Sequence, residues 1–398
     1  MLITDHFTWD HATFEDHVEG MCRQIEAFPG ERVAFLAPST IEVILTLFAC
    51  WKMGKIACPL SPRLPSVEQA LEKLGTELFT PLMPEPETPR NTAWDLSKLA
   101  TFLFTSGSMG SPKIACHTLG NLVSSAIGSY DIIPLQPSDR WALTLPLCHV
   151  GGLGILFRSY LAKSSVLMSS NWDRATHLSL VPTQLYRLLK SPTELPHLKT
   201  ILLGGAPLPD LQTPWNVLPS YGMTEMSSQI VTAHQVHPYA EMKISEDNEI
   251  WVKGPVLFQG YYEKEKGVVL PLNEEGWFQT KDLGHWENGI FKILGRKDNL
   301  FISGGENIQP EEIEEVIRRV CGMHEAIVVP IPDEEFGARP VVFLKDLVPL
   351  EQLQTRLQLH LPKYKIPIKV FELLEQTGLK PNRKALADKA FAYQQEMK

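Results

Sequence analysis

The segment Thr105-Ser-Gly-Ser-Met-Gly-Ser-Pro-Lys113 lies between the apolar runs 101–104 and 114–116 and is the most informative part of the sequence. Its glycines permit backbone conformations that are closed to other residues. Its hydroxyl groups and the ammonium of Lys113 add donors and a positive charge. A loop with these groups suits a polyphosphate. The residues that we predict to bind it, besides Lys113, are Thr105, Ser106, Gly107, Ser108 and Gly110.

The loop is not of the GxxxxGK(S/T) kind, because the glycine spacing before Lys113 differs and the next residue is Ile114. A flexible Ser/Gly linker is the competing interpretation of the same residues. The strands predicted on both sides and the lysine at the end favour a phosphate loop.

Apolar runs and helix-start signals before this loop predict alternating strands and helices. Segments 32–36 and 56–58 have the pattern of buried strands, and capping-box sequences begin at Ser39 and Ser66, the second predicted helix ending at Gly75. This order is typical of a parallel sheet with crossover helices. Further strands are predicted at 101–104, 141–145, 165–168, 177–181 and 200–203.

The pattern changes twice in the second half of the chain. Short runs broken by Gly, Asn and Pro over 249–294 predict antiparallel β structure. After Gly295, a helix starting at Pro310, strands at 326–331 and 368–373 and a helix at 350–360 predict a small α+β unit. We therefore predict an α/β protein with domains 1–297 and 298–398 and a boundary near Asp298.

Composition excludes several classes of function. The 398 residues carry a formal net charge of -9, which gives no electrostatic reason to expect nucleic acid or an anionic membrane as a partner. The six cysteines are scattered, which argues against a disulfide framework or a zinc site. We find no secretion signal and no membrane-spanning run, so we expect a cytoplasmic protein. The sequence leaves a homodimer open.

The loop resembles the phosphate loop of the acyl-adenylate-forming (ANL) superfamily, whose usual form is T-S-G-S/T-T-G-x-P-K. Acyl-CoA synthetases, firefly luciferase and peptide-synthetase adenylation domains belong to it. Met109 stands where the family usually has Thr, so one phosphate-facing hydroxyl is missing. The resemblance implies a large N-terminal domain of parallel and mixed sheets with helices and a small β subdomain, followed by a small mobile α+β domain. It also implies ATP, Mg²⁺ and coenzyme A as cofactor and co-substrates.

Two further segments resemble family motifs near the acyl group. Leu145-Pro-Leu-Cys-His-Val-Gly-Gly-Leu-Gly154 is similar to L-P-x-F-H-x-x-G, which implies that His149 and Gly151 border the acyl and pantetheine pocket. Leu203-Gly-Gly-Ala-Pro207 is similar to the family's glycine turn beside adenine, which implies binding by Gly204, Gly205 and Ala206. A satisfied core histidine and an ordinary glycine turn are the competing interpretations.

Ser220-Tyr-Gly-Met-Thr-Glu225 matches the family's Y-G-x-T-E motif. The match implies that Tyr221 stacks on adenine beside Gly222, that Thr224 donates to the α-phosphate region and that Glu225 holds Mg²⁺. A carboxylate beside phosphate oxygens is repulsive unless a hard cation lies between them, which agrees with the last role.

Two C-terminal segments resemble the ribose and hinge motifs. Gly276-Trp-Phe-Gln-Thr-Lys-Asp-Leu-Gly284 implies that Asp282 accepts hydrogen bonds from the ribose hydroxyls, with Lys281 replacing the common Gly. In the segment 295–308, the resemblance implies that Arg296 also contacts ribose and that Asp298 is the hinge residue. The loop that relatives bring to the active site for thioester formation then contains Ser303, Gly304 and Gly305.

The last motif, G-K-x-x-R, is matched by Gly378-Leu-Lys-Pro-Asn-Arg383 with one inserted residue. The resemblance implies that Lys380 is the adenylation lysine, with Lys384 as the weaker rival, and that the small domain swings about Asp298 between two half-reactions. An ordinary basic C-terminal surface is the competing interpretation.

The acid is indicated by one longer match. Tyr221-Gly-Met-Thr-Glu-Met-Ser-Ser-Gln-Ile-Val-Thr232 resembles the o-succinylbenzoate–CoA ligases of menaquinone biosynthesis, in which residues equivalent to Ser228 and Gln229 lie near the acyl pocket. That acid has a second carboxylate, for which Arg158 is a weak candidate partner. Another aryl- or acyl-CoA ligase, an adenylation protein that loads a carrier thiol and an inactive nucleotide-binding homologue remain alternatives.

Overall fold

The computed structural model describes residues 1–90, 92–105, 112–191, 194–204, 213–323, 325–374 and 382–396. Its helices, in chain order, are α1 His11–Ala27, α2 Ile41–Lys52, α3 Val67–Leu74, α4 Leu119–Ile127, α5 Val150–Leu161, α6 Pro182–Lys190, α7 Pro310–Cys321, α8 Leu350–Leu357 and α9 Arg383–Glu396. The first twelve strands are β1 Leu2–Thr4, β2 Thr8–Trp9, β3 Arg32–Leu36, β4 Ile56–Leu60, β5 Leu99–Thr105, β6 Lys113–Thr118, β7 Arg140–Ala142, β8 Ser165–Met168, β9 His177–Leu180, β10 Thr200–Leu203, β11 Val217–Met223 and β12 Ser228–Thr232. The other strands are β13 Gln235–Val236, β14 Glu241–Ile244, β15 Glu249–Lys253, β16 Gly260–Glu263, β17 Gly267–Val269, β18 Phe278–Glu287, β19 Ile290–Arg296, β20 Phe301–Ser303, β21 Glu306–Ile308, β22 Ala326–Asp333, β23 Gly337–Leu344 and β24 Val370–Glu372.

The strand–helix alternation before the phosphate loop folds as predicted into a partly parallel sheet. Strands β3 and β4 pair in parallel, and β5 joins β4 in parallel before pairing antiparallel with β6. The complete six-stranded sheet has the order β17-β16-β6-β5-β4-β3. Helix α2, which connects β3 to β4, is apolar around most of its circumference and is correspondingly buried from Val43 to Lys52.

The two predicted capping boxes have different outcomes. Ser66 caps α3 as expected, since its hydroxyl accepts from the Gln69 N–H, and Gly75 ends the helix in the left-handed conformation with φ 63°. The box at Ser39 is wrong, because the N-cap of α2 is Thr40, whose side chain makes no capping hydrogen bond. Burial of α2 replaces the cap as the source of its stability.

A second, nine-stranded sheet has the order β13-β12-β11-β10-β9-β7-β8-β1-β2. It is mixed, with parallel pairs from β11 to β1 and antiparallel pairs at both edges. The strand predicted at 141–145 is shorter than expected and ends at Ala142, as β7. Mixed sheets covered by helices confirm the predicted α/β class.

The predicted antiparallel region is confirmed by a four-stranded sheet with the order β14-β15-β18-β19, in which β18 and β19 are antiparallel. The chain after it forms the hairpin β20–β21 and the three-stranded sheet β22-β23-β24. Helices α7 and α8 cover one face of that sheet, where Ile313, Ile317 and Leu353 join its apolar core.

Of the described residues, one compact unit holds those of 1–208, 213–242 and 252–278, and a second holds those of 243–251 and 279–398. The hinge at Asp298 stays a prediction. In the part of the chain that the structure describes, every helix is too short or too polar to cross a bilayer.

Candidate active site

The ends of the phosphate loop are held opposite each other by the sheet. Thr105, the last residue of β5, is the register partner of Lys113, the first residue of β6. The loop itself, with the predicted residues Ser106, Gly107, Ser108 and Gly110, lies outside the described residues, as do Gly205, Ala206 and Lys380. Their roles stay predictions, while the position of Lys113 at the mouth of the loop is set by backbone pairing.

Glu225 lies in a 3-10 turn, Thr224–Met226, directly after β11, and only 7% of it is exposed. The Tyr261 hydroxyl donates to its Oε1 at 2.7 Å. The Lys113 ammonium lies over the Tyr261 ring, 4.4 Å from the centroid. The structure thus brings Lys113 and Glu225, 112 positions apart in the sequence, to one tyrosine side chain, the cation over its ring and the carboxylate at its hydroxyl.

A single buried carboxylate is a fitting but incomplete ligand set for Mg²⁺. Among the described residues, no group of three or more His, Cys, Asp or Glu side chains could hold a metal ion. Mg²⁺ usually takes one or two carboxylates and fills its other positions with water and substrate phosphates. Glu225 therefore fits a Mg²⁺ ion that arrives with a nucleotide.

The backbone of Thr224 is fixed by a histidine that the sequence did not single out. His117, on β6, is fully buried, and its Nε2 lies 2.7 Å from the Thr224 carbonyl oxygen. Because a carbonyl only accepts, Nε2 carries the proton. Burial lowers the pKa of His117 to about 4, so the ring is neutral near pH 7.

The Y-G-x-T-E motif follows from a close approach of two strands. Tyr221 on β11 pairs with Val231, and the register shifts between Tyr221 and Gly222. A Cβ at Gly222 would lie 1.9 Å from the Ser228 carbonyl oxygen and 2.4 Å from the Gln229 Cα. Because the neighbouring backbone leaves no space for a Cβ atom, this position requires glycine. Gly204, half-buried after β10, donates its N–H to the Leu180 carbonyl at 3.1 Å.

Arg158, on α5, is 1% exposed, and no Asp or Glu in the described chain lies within ion-pair distance of it. Its Nη1 donates to Gln229 Oε1 at 3.2 Å, and its guanidinium lies 4.7 Å from the Trp141 ring centroid. Ser228 donates to the same Gln229 oxygen at 2.8 Å. Burial lowers the pKa of Arg158 to about 10, and the group stays charged near neutral pH. A desolvated cation held only by neutral partners suits an anionic ligand.

Helix α5 has a glycine beside this cation, and two other predicted site residues lie at its start. A Cβ at Gly154, one turn before Arg158, would approach the guanidinium nitrogens to 3.0 and 3.1 Å and Ser228 Oγ to 3.3 Å. His149 is the exposed N-cap residue and Gly151 lies in the first turn. The structure thus brings Ser228 and Gln229 together with Arg158 and Gly154 of α5, and the pocket roles of His149 and Gly151 stay predictions.

In the second unit, the two predicted ribose residues contact each other. Arg296 Nη1 lies 2.9 Å from Asp282 Oδ1, and Arg296 Nε lies 2.9 Å from Asp298 Oδ1. Although partial burial opposes it, Arg296 holds the pKa of Asp298 below its usual range. Lys281, at the position where the family commonly has Gly, has φ 62°, which explains that preference.

The predicted thioester loop is a two-residue β-hairpin turn between β20 and β21. Gly304 and Gly305 have φ 58° and 86°, as a type I′ turn requires. Ser303 is 1% exposed, and the Gly304 N–H donates to the Phe336 carbonyl at 2.9 Å. The turn is therefore held in place within its own unit.

Arg383, the last residue of the predicted K-x-x-R motif, has a structural role. It donates to Glu314 from Nη1 and Nη2, at 2.5 and 2.9 Å, and to the Val328 carbonyl at 2.8 Å. These contacts fasten the start of α9 to α7 and β22.

Tyr261 and His117 are the residues that sequence reasoning missed. Tyr261 belongs to Gly260-Tyr-Tyr-Glu263, a short strand that gave no signal of its own. His117 lies four positions after Lys113 on the same strand. Because side chains alternate between the two faces of a strand, this even spacing indicates that both lie on the same face of the sheet, which was the available signal.

A family model described as AMP-binding enzyme matches residues 67–262. The 2-succinylbenzoate–CoA ligase of Escherichia coli K12 is 33% identical, covering 90% of this chain and 87% of that protein. The enzyme of the same name from Haemophilus influenzae is 38% identical over 74% of this chain and 71% of its own length.

Solved structures agree with these relatives. The o-succinylbenzoate–CoA synthetase of Bacillus subtilis in complex with the acyl-adenylate intermediate has a TM-score of 0.85 at 30% identity, covering 97% of this chain and 94% of that one. The same enzyme in complex with ATP and magnesium ion has a TM-score of 0.82 at 30% identity, with coverage of 94% and 92%.

Proposed function

We propose that this protein joins 2-succinylbenzoate to coenzyme A. The chain belongs to the AMP-binding enzymes and, among them, to the 2-succinylbenzoate–CoA ligase family. ATP, the acid and coenzyme A are converted to 2-succinylbenzoyl-CoA, AMP and pyrophosphate. The intermediate is the acyl-adenylate.

The observation that carries the choice of acid is the buried Arg158. A guanidinium without a carboxylate partner is costly to bury, and a second carboxylate on the substrate would offset that cost. Ser228 and Gln229, the predicted acyl-pocket residues, contact Arg158 or each other. An acid with one carboxylate uses it for adenylation and leaves Arg158 unpaired, whereas 2-succinylbenzoate has one carboxylate for each purpose.

The first half-reaction activates the acid. One oxygen of the substrate carboxylate forms a bond to the α-phosphorus, and the bond to the pyrophosphate oxygen breaks. Negative charge on the phosphate oxygens is stabilised by Lys113 and, in our proposal, by Lys380. A Mg²⁺ ion held by Glu225 and the phosphates would supply further charge neutralisation. Tyr221 stacks on adenine, and Asp282 and Arg296 bind ribose.

The second half-reaction forms the thioester. The thiolate of coenzyme A attacks the acyl carbonyl, and AMP leaves with the electron pair of the broken bond. We assign His149 and Gly151 to the pantetheine path and the loop of Ser303, Gly304 and Gly305 to this step. Asp298 is, in our proposal, the hinge at which the predicted domain 298–398 changes position, a known type of transition around ligands.

The test is mass spectrometry of the products formed from ATP, Mg²⁺, coenzyme A and 2-succinylbenzoate. We expect 2-succinylbenzoyl-CoA from the wild type, and at least a hundredfold less from Arg158→Met, about the value of one charge-assisted pair. Arg187→Met, which removes an exposed arginine of α6, is the matched control and keeps full activity.

A panel of acids completes this test. If benzoate or an aliphatic acid is a better substrate than 2-succinylbenzoate, the assignment of the acid is wrong and the ligase assignment stands. If pyrophosphate is released with every acid but no CoA thioester appears, the chain loads another thiol. We also place the enzyme in the cytoplasm, and light scattering tests the homodimer that the sequence left open.

A further inference from the structure

We infer that Tyr261 is a positioning residue that keeps Lys113 and Glu225 apart and orients the Glu225 carboxylate for the metal-bound nucleotide. The inference rests on the proposed function and deepens it, because it concerns the binding of ATP with its cation.

The sheet fixes Tyr261 between the two charges. In the antiparallel pair of β16 and β6, Tyr261 is the register partner of Ala115, two residues after Lys113. Its ring receives the Lys113 ammonium at 4.4 Å, and its hydroxyl donates to Glu225 Oε1 at 2.7 Å. Phe258 packs edge-on against the ring, with centroids 4.9 Å apart. The ring is therefore held from several sides.

The same segment also holds the backbone of Glu225. The Phe258 N–H donates to the Glu225 carbonyl oxygen at 2.9 Å. Segment 258–261 thus fixes both the main chain and the side chain of the predicted metal ligand. Among the described residues, Tyr261 is the side chain that hydrogen-bonds this carboxylate.

The separation of the two charges has a physical consequence. Lysine and glutamate in direct contact form an ion pair, which would satisfy both groups and compete with the nucleotide. In the described structure, Lys113 and Glu225 make no such pair. The tyrosine instead offers its ring face to the cation and its hydroxyl to the anion. Lys113 stays available to phosphate, and Glu225 Oε2 stays available to a hard cation.

The next residue provides a matched control. Tyr262, on the opposite face of β16, has its hydroxyl hydrogen-bonded by Arg32 Nη1, and the Arg32 guanidinium lies 5.1 Å from its ring centroid. Tyr262→Phe therefore removes the same hydroxyl from a similar cation–tyrosine contact that has no part in the proposed site.

The experiment is calorimetric titration of wild type, Tyr261→Phe, Tyr261→Leu and Tyr262→Phe with AMP and with ATP over a range of Mg²⁺ concentrations. For Tyr261→Phe we expect the half-saturating Mg²⁺ concentration to rise about tenfold, since one hydrogen bond to a charged group is lost. Its affinity for AMP, which needs no cation, should stay within about twofold of the wild type. Tyr261→Leu also removes the ring, so it should in addition weaken ATP binding without Mg²⁺. Tyr262→Phe should match the wild type throughout.

Two results would overturn the inference. Equal Mg²⁺ dependence in Tyr261→Phe and Tyr262→Phe would show that the hydroxyl does not orient Glu225. Equal losses of AMP and Mg²⁺–ATP affinity in Tyr261→Phe would show a general structural role. A wild type that binds neither nucleotide contradicts the proposed function itself, so the two failures are distinguishable.

Discussion

Replacing Arg158 by methionine should leave the stability of the protein nearly unchanged while removing its activity. Burial lowers the pKa of Arg158 from 12.5 to about 10, which corresponds to about 3 kcal/mol of lost solvation at about 1.4 kcal/mol per pKa unit. Methionine has no charge to desolvate and fills a similar volume. Against this, the variant loses a hydrogen bond from a charged group to Gln229, about 1.5 kcal/mol, and a desolvated contact with Trp141, about 2 kcal/mol. The gain and the losses therefore cancel to within about 1 kcal/mol.

Urea unfolding at pH 7.5 without ligands measures this small difference in stability directly. The Gln229 oxygen keeps its hydrogen bond from Ser228, so the variant leaves no new unsatisfied acceptor there. Arg187→Met should change the free energy of unfolding by less than about 0.5 kcal/mol, as surface substitutions usually do. A loss of about 2 kcal/mol or more in Arg158→Met would refute the reasoning, because it would make Arg158 a structural residue whose burial is already compensated.

Three further predictions concern the site and its supports. Lys380→Ala should abolish acyl-adenylate formation, measured by pyrophosphate exchange, and spare thioester formation from supplied acyl-adenylate. Asp298→Pro, which fixes φ at the predicted hinge, should spare acyl-adenylate formation and block thioester formation. Equal losses in both steps for either variant would contradict these roles. Burial lowers the pKa of His117 and His237 to about 4 from 6.5, so their contribution to stability is complete above pH 6.5 and lost as the pH falls towards 4. Urea unfolding should therefore show about 2 kcal/mol per imidazole less stability at pH 5 than at pH 7.5, and His237→Gln should reduce that difference. Gly222→Ala should cost about 3 kcal/mol in the same assay, because its Cβ would meet backbone atoms, and an unchanged midpoint would contradict the strand geometry.

Local patterns were sufficient for much of the fold. The runs 165–168 and 200–203 are strands β8 and β10 with the predicted bounds, and Gly75 ends α3 as glycine usually does. Bounds failed where tertiary packing replaced local signals. The capping box predicted at Ser39 does not form, and the buried helix α2 begins after Thr40 without a side-chain cap. The strand predicted to reach residue 145 ends at Ala142.

The site was predictable as far as its residues lie in contiguous motifs. Asp282 and Arg296 were chosen separately, and the register of β18 and β19 makes them partners. Tyr261 was beyond the reach of sequence reasoning, because its role depends on two residues that are 148 and 36 positions away. Arg158 was recognised only weakly, since sequence shows neither its burial nor the lack of a nearby carboxylate.

Except for the paired ribose residues Asp282 and Arg296, the partners of the charged residues discussed here distinguish structural residues from those proposed to bind ligands. Structural charges have opposite charges beside them: Arg383 with Glu314, Lys52 with Glu19, and Lys199 with Asp139. Such pairs are complete without a ligand.

Within the described chain, Arg158, Lys113 and Glu225 are held instead by neutral side chains, namely Gln229, Trp141 and Tyr261. Folding gains little from the two buried charges, Arg158 and Glu225, because neutral partners offset only part of their desolvation cost. A carboxylate for Arg158 and a cation for Glu225 would offset the rest, and the exposed Lys113 is available to phosphate. A dicarboxylic acid and a metal-bound nucleotide together have these three complementary charges, which is the physical reason that both substrates are assigned to one protein.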